Sequence, residues 1–335
     1  MQQCVYVKIE FYQTVKSADM KILITGVSGL VGASVARLAL ARNMEVLGQV
    51  RNHVVSDFPT CRKDISADTQ WDDALLNVDC VVHCAARVHQ MNDRSEEPLA
   101  AFRTVNTHGT LNLARQAAAA GVKRFIFVSS IKVNGECTQP NQPFVPLMEH
   151  IPADPYGISK YEAEQGLKAI QAQTGLEVVI IRPPLVYGPG VKANFLSMMN
   201  WVEKAIPLPL GSVNNRRSLV YLDNLADLIL VCCQHPKAAG RTFLVSDNRD
   251  VSTSALLQQI ARAMNKPSRL VSVPTSWLVA AATLIGKKAI AQRVCGNLQL
   301  DIAETMHLLD WTPLYSFEEG IQLTVDDYLR SKAAP

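Results

Sequence analysis

Short apolar runs alternate with longer segments of helical period through the first half of this chain, and that alternation narrows the fold more than any other feature. Residues 21–25, 45–50, 78–83, 124–129 and 177–182 are rich in Val and Ile at successive positions, the pattern of strands buried on both faces. Residues 30–42, 99–120 and 156–173 lie between them with helical spacing. Gly121 and Gly175 stand where the second and third of these helices would end. Strand and helix in repetition predict an α/β fold, a doubly wound parallel sheet with right-handed crossovers. Pro183-Pro184, Pro189, Pro207 and Pro209 then interrupt the pattern, which predicts a second, smaller lobe. Residues 241–246 read as one more strand returning to the first sheet, so the lobe would be discontinuous. The expected division is 20–184 plus about 218–247 for the first unit, and about 185–217 plus 248–330 for the second.

Gly26-Val-Ser-Gly29-Leu-Val-Gly32 follows the first strand and opens the first helix. Glycine permits a tight turn and close approach of the backbone to a pyrophosphate. The helix N-terminus then presents free N–H groups to that anion. The first unit is therefore expected to bind a dinucleotide. An NAD site usually carries Asp or Glu at the tip of the second strand, for the ribose 2′-hydroxyl. Here the strand ends Gly48-Gln-Val50-Arg51, with no acid and a guanidinium that could hold a 2′-phosphate. That reading favours NADP over NAD and assigns Arg51 to the cofactor. Asp64-Ile65 is placed beside the adenine.

Composition excludes several classes. The chain has 335 residues, 48% hydrophobic and 19% charged, with net charge +3. That is ample for a core, and too nearly neutral to argue for nucleic acid. Eight cysteines are scattered without repeated C-x-x-C spacing, so no disulfide and no metal is expected, and a reducing cytoplasm is. Residues 1–19 lack the apolar core of a signal peptide and read as an extension outside the fold. The stretch 277–285 is too short to span a bilayer. Its length argues for a buried helix, with peripheral contact at a membrane surface as the alternative.

Tyr156-Gly-Ile-Ser-Lys160 sets a phenol and an ammonium one helical turn apart. A Tyr loses its proton near pH 10, roughly, and a neighbouring cation lowers that value. A phenol so tuned can exchange a proton with an alcohol.

With these motifs assembled, the chain resembles the extended short-chain dehydrogenase/reductase superfamily, in its nucleotide-sugar epimerase, dehydratase and reductase branch. The resemblance runs from about residue 20 to about 328. It rests on the glycine motif, Asp64-Ile65, His83-Cys-Ala-Ala86, Asn106, Ser129-Ser130 and Tyr156 with Lys160. It implies a Rossmann-type sheet with a C-terminal substrate lobe. It further implies Ser130 as the residue polarising the sugar oxygen, Tyr156 as acid/base, and Lys160 as the group that binds the nicotinamide ribose and depresses the Tyr156 pKa. Asn106 would steady Lys160 through its helix, and Ala85, Ala86 and Pro183 would line the cofactor pocket. Asn194-Phe195, Arg217 and Arg293 would grip the nucleotide diphosphate. A UDP-sugar substrate and a homodimer through the helices at 99–120 and 156–173 are also implied.

Three departures bear on the reaction. Epimerases of this branch commonly carry Tyr-Gly after the catalytic Ser strand, where this chain has Asn134-Gly135. They carry Arg-Tyr-Phe-Asn at the sheet edge, where it has Arg182-Pro-Pro-Leu185. The acid after the second strand is missing. The runs 86–93, 130–136 and 182–195 resemble a bacterial subgroup often labelled UDP-glucose 4-epimerase. Its better understood members are similar to reductases of a UDP-4-keto-6-deoxy-N-acetylhexosamine, which form UDP-N-acetylquinovosamine for O-antigen polysaccharide. The expected reaction is therefore 4-ketoreduction, with a UDP-hexose 4-epimerase holding NAD tightly as the alternative. A dehydratase would need an acid and base where Ile131-Lys132 stand. A non-catalytic NADP sensor on the same fold would have no need of Ser130, Tyr156 and Lys160 together.

Overall fold

The computed structural model describes residues 20–88, 97–147 and 152–333. The extension at 1–19 and the part of the run 86–93 from His89 onward lie outside the described residues. Seven parallel strands form the main sheet in the order β3-β2-β1-β4-β5-β6-β9. They are β1 (Lys21–Thr25), β2 (Glu45–Val50), β3 (Thr60–Arg62), β4 (Cys80–His83), β5 (Arg124–Val128), β6 (Glu177–Arg182) and β9 (Thr242–Leu244). The expected Rossmann-type sheet is present. Both faces are covered, which is why its central strands are apolar through their interiors: Ile22 and Ile24 enter one core and Leu23 the other. The strand expected at 241–246 is β9, parallel to β6.

Helix α1 (Leu30–Ala41) follows β1. The segment after β4 runs through α2 (Pro98–Phe102), a π-helical stretch Arg103–Gly109 and α3 (Thr110–Ala119). Helix α4 (Pro155–Thr174) starts on an Asp154 cap that accepts from the Gly157 amide, with Pro155 in the first turn. It ends at Gly175, whose φ of 76° is left-handed.

The smaller lobe has a mixed sheet in the order β10-β8-β7, from β7 (Leu185–Tyr187), β8 (Arg217–Tyr221) and β10 (Asp250–Val251). Around it pack α5 (Ala193–Glu203), α7 (Thr253–Ala263) and α11 (Phe317–Ala333), with Tyr187, Phe195, Tyr221 and Phe317 in a common core. Helix α6 (Leu222–Gln234) leaves β8 and packs on α1, tying the two lobes together. Helices α8 (Thr275–Leu284) and α9 (Lys288–Cys295) form a hairpin, and α10 (Ala303–Leu309) follows. The burial expected for 277–285 does not hold, because α8 has no buried residue. Its apolar composition states what the helix prefers, and no neighbour in the fold supplies it.

Candidate functional site

The sheet order reverses between β1 and β4, so the crevice beyond their C-terminal ends is where a doubly wound fold binds its ligand. The glycine turn leaves β1 there, and Ala85-Ala86 leave β4 beside it. Gly26 has φ +66°, and a Cβ on it would stand 2.9 Å from the Ala85 backbone. A Cβ on Gly32 would lie 2.3 Å from the Gly26 carbonyl oxygen. The turn is thus closed around bare backbone. Gly29 is the extended N-cap of α1, with no side-chain cap and no acid in the first turn. Uncapped amides at a helix start fit a pyrophosphate, so the residues present suit a dinucleotide.

Gln49 was not singled out from the sequence. It is 1% exposed, its Oε1 accepts from the Gly26 amide at 2.8 Å, and its Nε2 donates to the Lys63 carbonyl at 2.5 Å. Asp64 is exposed, with its carbonyl taken by the Thr69 hydroxyl, while Ile65 is buried. Asn106 lies in the π-helical stretch. It exchanges two hydrogen bonds with the Arg87 backbone and donates to the Ser159 hydroxyl at 3.1 Å, one residue before Lys160. A π-turn placed here aims that amide at α4.

Ser130 follows β5 and caps a short turn at Ile131–Val133. The buried Pro183 holds that turn, its carbonyl accepting from the Ile131 amide at 3.0 Å. The Tyr156 phenol lies near the Ser130 hydroxyl, and its ring meets Phe102 edge-on at 5.9 Å. Ser130 and Tyr156 are both half-buried. Lys160 is 1% exposed, donates to the Val128 carbonyl at 2.9 Å, and lies 4.4 Å from the centre of the Phe127 ring. Burial pulls its pKa down to about 8.

The expected depression of the Tyr156 pKa by Lys160 is not found. Burial and the Asp154 charge push the phenol up to about 12, opposed by the Ser130 hydroxyl. The reason is geometric: the ammonium is committed to Val128 and Phe127. A different cation lies near the phenol, since Lys132 Nζ pairs with Asp154 at 3.0 Å and sits 5.9 Å from the Tyr156 ring centre.

The strand end that carries Ser130 is held by a buried ion pair that the sequence did not reveal. Arg182 grips Glu164 through two hydrogen bonds of 2.9 and 2.5 Å, and Glu164 also accepts from the Ser129 hydroxyl at 2.6 Å. Arg182 Nη1 donates to Asn134 Oδ1 at 2.9 Å. Asn134, the first of the departures noted above, is therefore in contact with Arg182, the residue that the sheet-edge motif has in common with the family.

The second-lobe residues are more dispersed. Asn194 is exposed in the first turn of α5, whereas Phe195 is fully buried and stacked on Tyr187 at 5.4 Å, a packing role. Arg217 opens β8 and donates to the carbonyls of Arg293 and Gly296, and Arg293 itself is exposed and 3.4 Å from Glu136. The structure brings Arg217 and Arg293 together and leaves Asn194 and Phe195 on another element.

Residues 22–246 match the family described as the NAD dependent epimerase/dehydratase family. A UDP-glucose 4-epimerase of Vibrio cholerae is 48% identical over 314 residues, covering 92% of this chain and 96% of that protein. An N-acetyl-alpha-D-glucosaminyl-diphospho-ditrans,octacis-undecaprenol 4-epimerase of Escherichia coli O157:H7 is 26% identical over 322 residues, covering 91% and 94%. In fold, the chain is similar to the crystal structure of a UDP-glucuronic acid 4-epimerase from Bacillus cereus in complex with NAD. That match has a TM-score of 0.76 and 20% identity over 93% of this chain and 99% of that one. Several other solved structures with a similar fold also hold NAD, among them a Thermus thermophilus UDP-glucose 4-epimerase with a TM-score of 0.72 and 22% identity over 92% of this chain and 99% of that one. These findings overturn the NADP preference. Arg51 is exposed at the tip of β2.

Proposed function

From the premise that this chain belongs to the NAD-dependent epimerase/dehydratase family, we propose that it is a UDP-sugar 4-epimerase that keeps NAD bound through its cycle. The observation that carries this reading is the Tyr156 phenol near the Ser130 hydroxyl, with Lys160 one turn further on in α4, in a chain whose β1–β4 crevice carries a glycine turn. The choice of epimerase over ketoreductase is supported by the 48% identical relative of that name and by the loss of the argument for NADP. When bound, NAD supplies the two-electron redox partner for the carbon that bears the reacting hydroxyl. Gly26, Gly29, Gly32 and the start of α1 hold its pyrophosphate, with Ala85, Ala86 and Pro183 as walls and Asp64-Ile65 at the adenine side. Lys160 has three N–H donors and gives one to Val128, which leaves two for ribose hydroxyls.

Tyr156 exchanges the proton of the sugar 4-hydroxyl, and Ser130 donates to the same oxygen as charge develops on it. Asn106 acts as a positioning residue through Ser159. Arg217 and Arg293 neutralise the diphosphate. The ketoreductase that forms UDP-N-acetylquinovosamine would use the same three residues, so only turnover separates the two.

The test is to assay the purified protein, together with its released nucleotide, on UDP-glucose and UDP-N-acetylglucosamine. Inversion at C4 with no net consumption of NADH, and loss of roughly 10²-fold or more in Tyr156→Phe, is the expected result. Stoichiometric oxidation of NADH with a UDP-4-keto-6-deoxy-N-acetylhexosamine, without interconversion of the hexoses, would overturn it in favour of the reductase.

A further inference from the structure

The hairpin of α8 and α9 exposes several large apolar side chains. None of α8 is buried, and Trp277, Leu284, Ile285 and Ile290 are 71%, 89%, 68% and 54% exposed. A contiguous apolar face of this kind marks an interaction surface. Among the described residues no helix is long and apolar enough to cross a membrane, so any contact of this hairpin with a bilayer is at its surface. The charge says what covers the face. From Val251 to Leu300 the chain has six Lys or Arg and no Asp or Glu, within a protein of net charge +3. Lys287 and Lys288 are exposed and directly follow the apolar helix. A Trp and aliphatic side chains flanked by lysines match the interface of a bilayer with anionic headgroups, whereas a protein groove would need no such excess of one sign.

We infer that the α8–α9 hairpin docks this protein on the surface of an anionic lipid bilayer, with Trp277, Leu284 and Ile285 in the headgroup region and Lys287 and Lys288 against the lipid phosphates. The placement has a functional consequence. From Lys288 to Arg293 the rise along α9 is only about 8 Å. Arg293 reaches Glu136, which lies 3.5 Å from Lys132, the cation beside Tyr156. Docking therefore holds the mouth of the candidate site close to the membrane surface.

The experiment is sedimentation of the full-length protein with vesicles of phosphatidylcholine alone and with about 30% phosphatidylglycerol. Trp277 fluorescence is read alongside, as is the solution mass without lipid. Binding at least about tenfold tighter to the anionic vesicles, weakened by salt and accompanied by a blue shift, is expected. Trp277→Glu with Leu284→Glu abolishes it, and Lys287→Glu with Lys288→Glu removes the preference for anionic lipid. These positions are exposed, so both variants keep the wild-type melting temperature. Failure of the wild type to sediment with anionic vesicles overturns the inference. So does binding that survives the Trp277 and Leu284 changes. A dimer in the absence of lipid that the same changes dissociate, with no vesicle binding, assigns the hairpin to a second copy and overturns it too. Vesicle binding is read without substrate, so neither result bears on the epimerase reading.

Discussion

Asp154 holds three duties, and separating them tests the electrostatics of the site. Its carboxylate caps α4 at Gly157, pairs with Lys132, and raises the Tyr156 pKa. Asp154→Asn keeps a capping side chain and removes the charge. The Tyr156 pKa then falls, and the acidic limb of the pH–rate profile for 4-hydroxyl oxidation moves to lower pH. An unmoved limb would take Asp154 out of the tuning. His83 gives a second pH signature. Its ring is buried between the Thr25 and Thr110 hydroxyls at 2.7 and 2.9 Å, and burial pushes its pKa from 6.5 down to about 3. Between those values the unfolded chain binds a proton that the folded chain refuses. The stability from His83 is complete above about pH 6.5 and is lost as pH falls toward 3, by at most about 1.4 kcal/mol per unit. Denaturation of His83→Gln should show a shallower acid slope than wild type. The spacing of Tyr156 and Lys160 was legible in the sequence because helical period alone puts them on one face. The direction of the Tyr156 shift was not, because it depends on Asp154 and on a carbonyl of β5 that takes the ammonium.

The strand ends and the middle of α4 are joined by groups that look like surface charges until they are placed. Glu164 and Arg182 are 0% and 2% exposed, and their pairing fixes α4 against β6 and, through Ser129, the end of β5. Arg182→Met leaves a buried carboxylate without its partner and should cost about 3–5 kcal/mol, read from the midpoint of urea unfolding. The double variant with Glu164→Leu should recover much of that loss, since an apolar pair of similar volume is often no worse. Strands β1, β2 and β6 match their expected bounds because both of their faces are covered and their interiors carry runs of Val, Ile and Leu between polar ends. The short edge strand β3 went unread, since Thr60–Arg62 pairs with β2 through backbone alone and carries no apolar signal. Helix α8 shows the converse, in that hydrophobicity predicts a wish for cover and is silent on whether the fold provides it.

The molecule as a whole turns on the crevice between β1 and β4, with the smaller lobe tied over the larger by α6 on α1. A ligand that binds only the folded chain raises its stability, by about 2.7 kcal/mol at a hundredfold excess over its Kd. NAD added to the stripped protein should raise the melting temperature by several degrees, and NADP should not. An equal response to both would reopen the question of the β2 tip. The architecture was legible because parallel sheets leave a strong apolar rhythm. Gln49 was not, because nothing in a strand sequence shows a side chain turning back to a loop more than twenty residues earlier. Its bond to Gly26 bears on residence time. A turn already closed by a side chain has little disorder left to lose when the pyrophosphate arrives, so contact energy is not spent on ordering it. It appears instead as slow release, the kinetic property a catalyst needs if one nucleotide is to serve many turnovers.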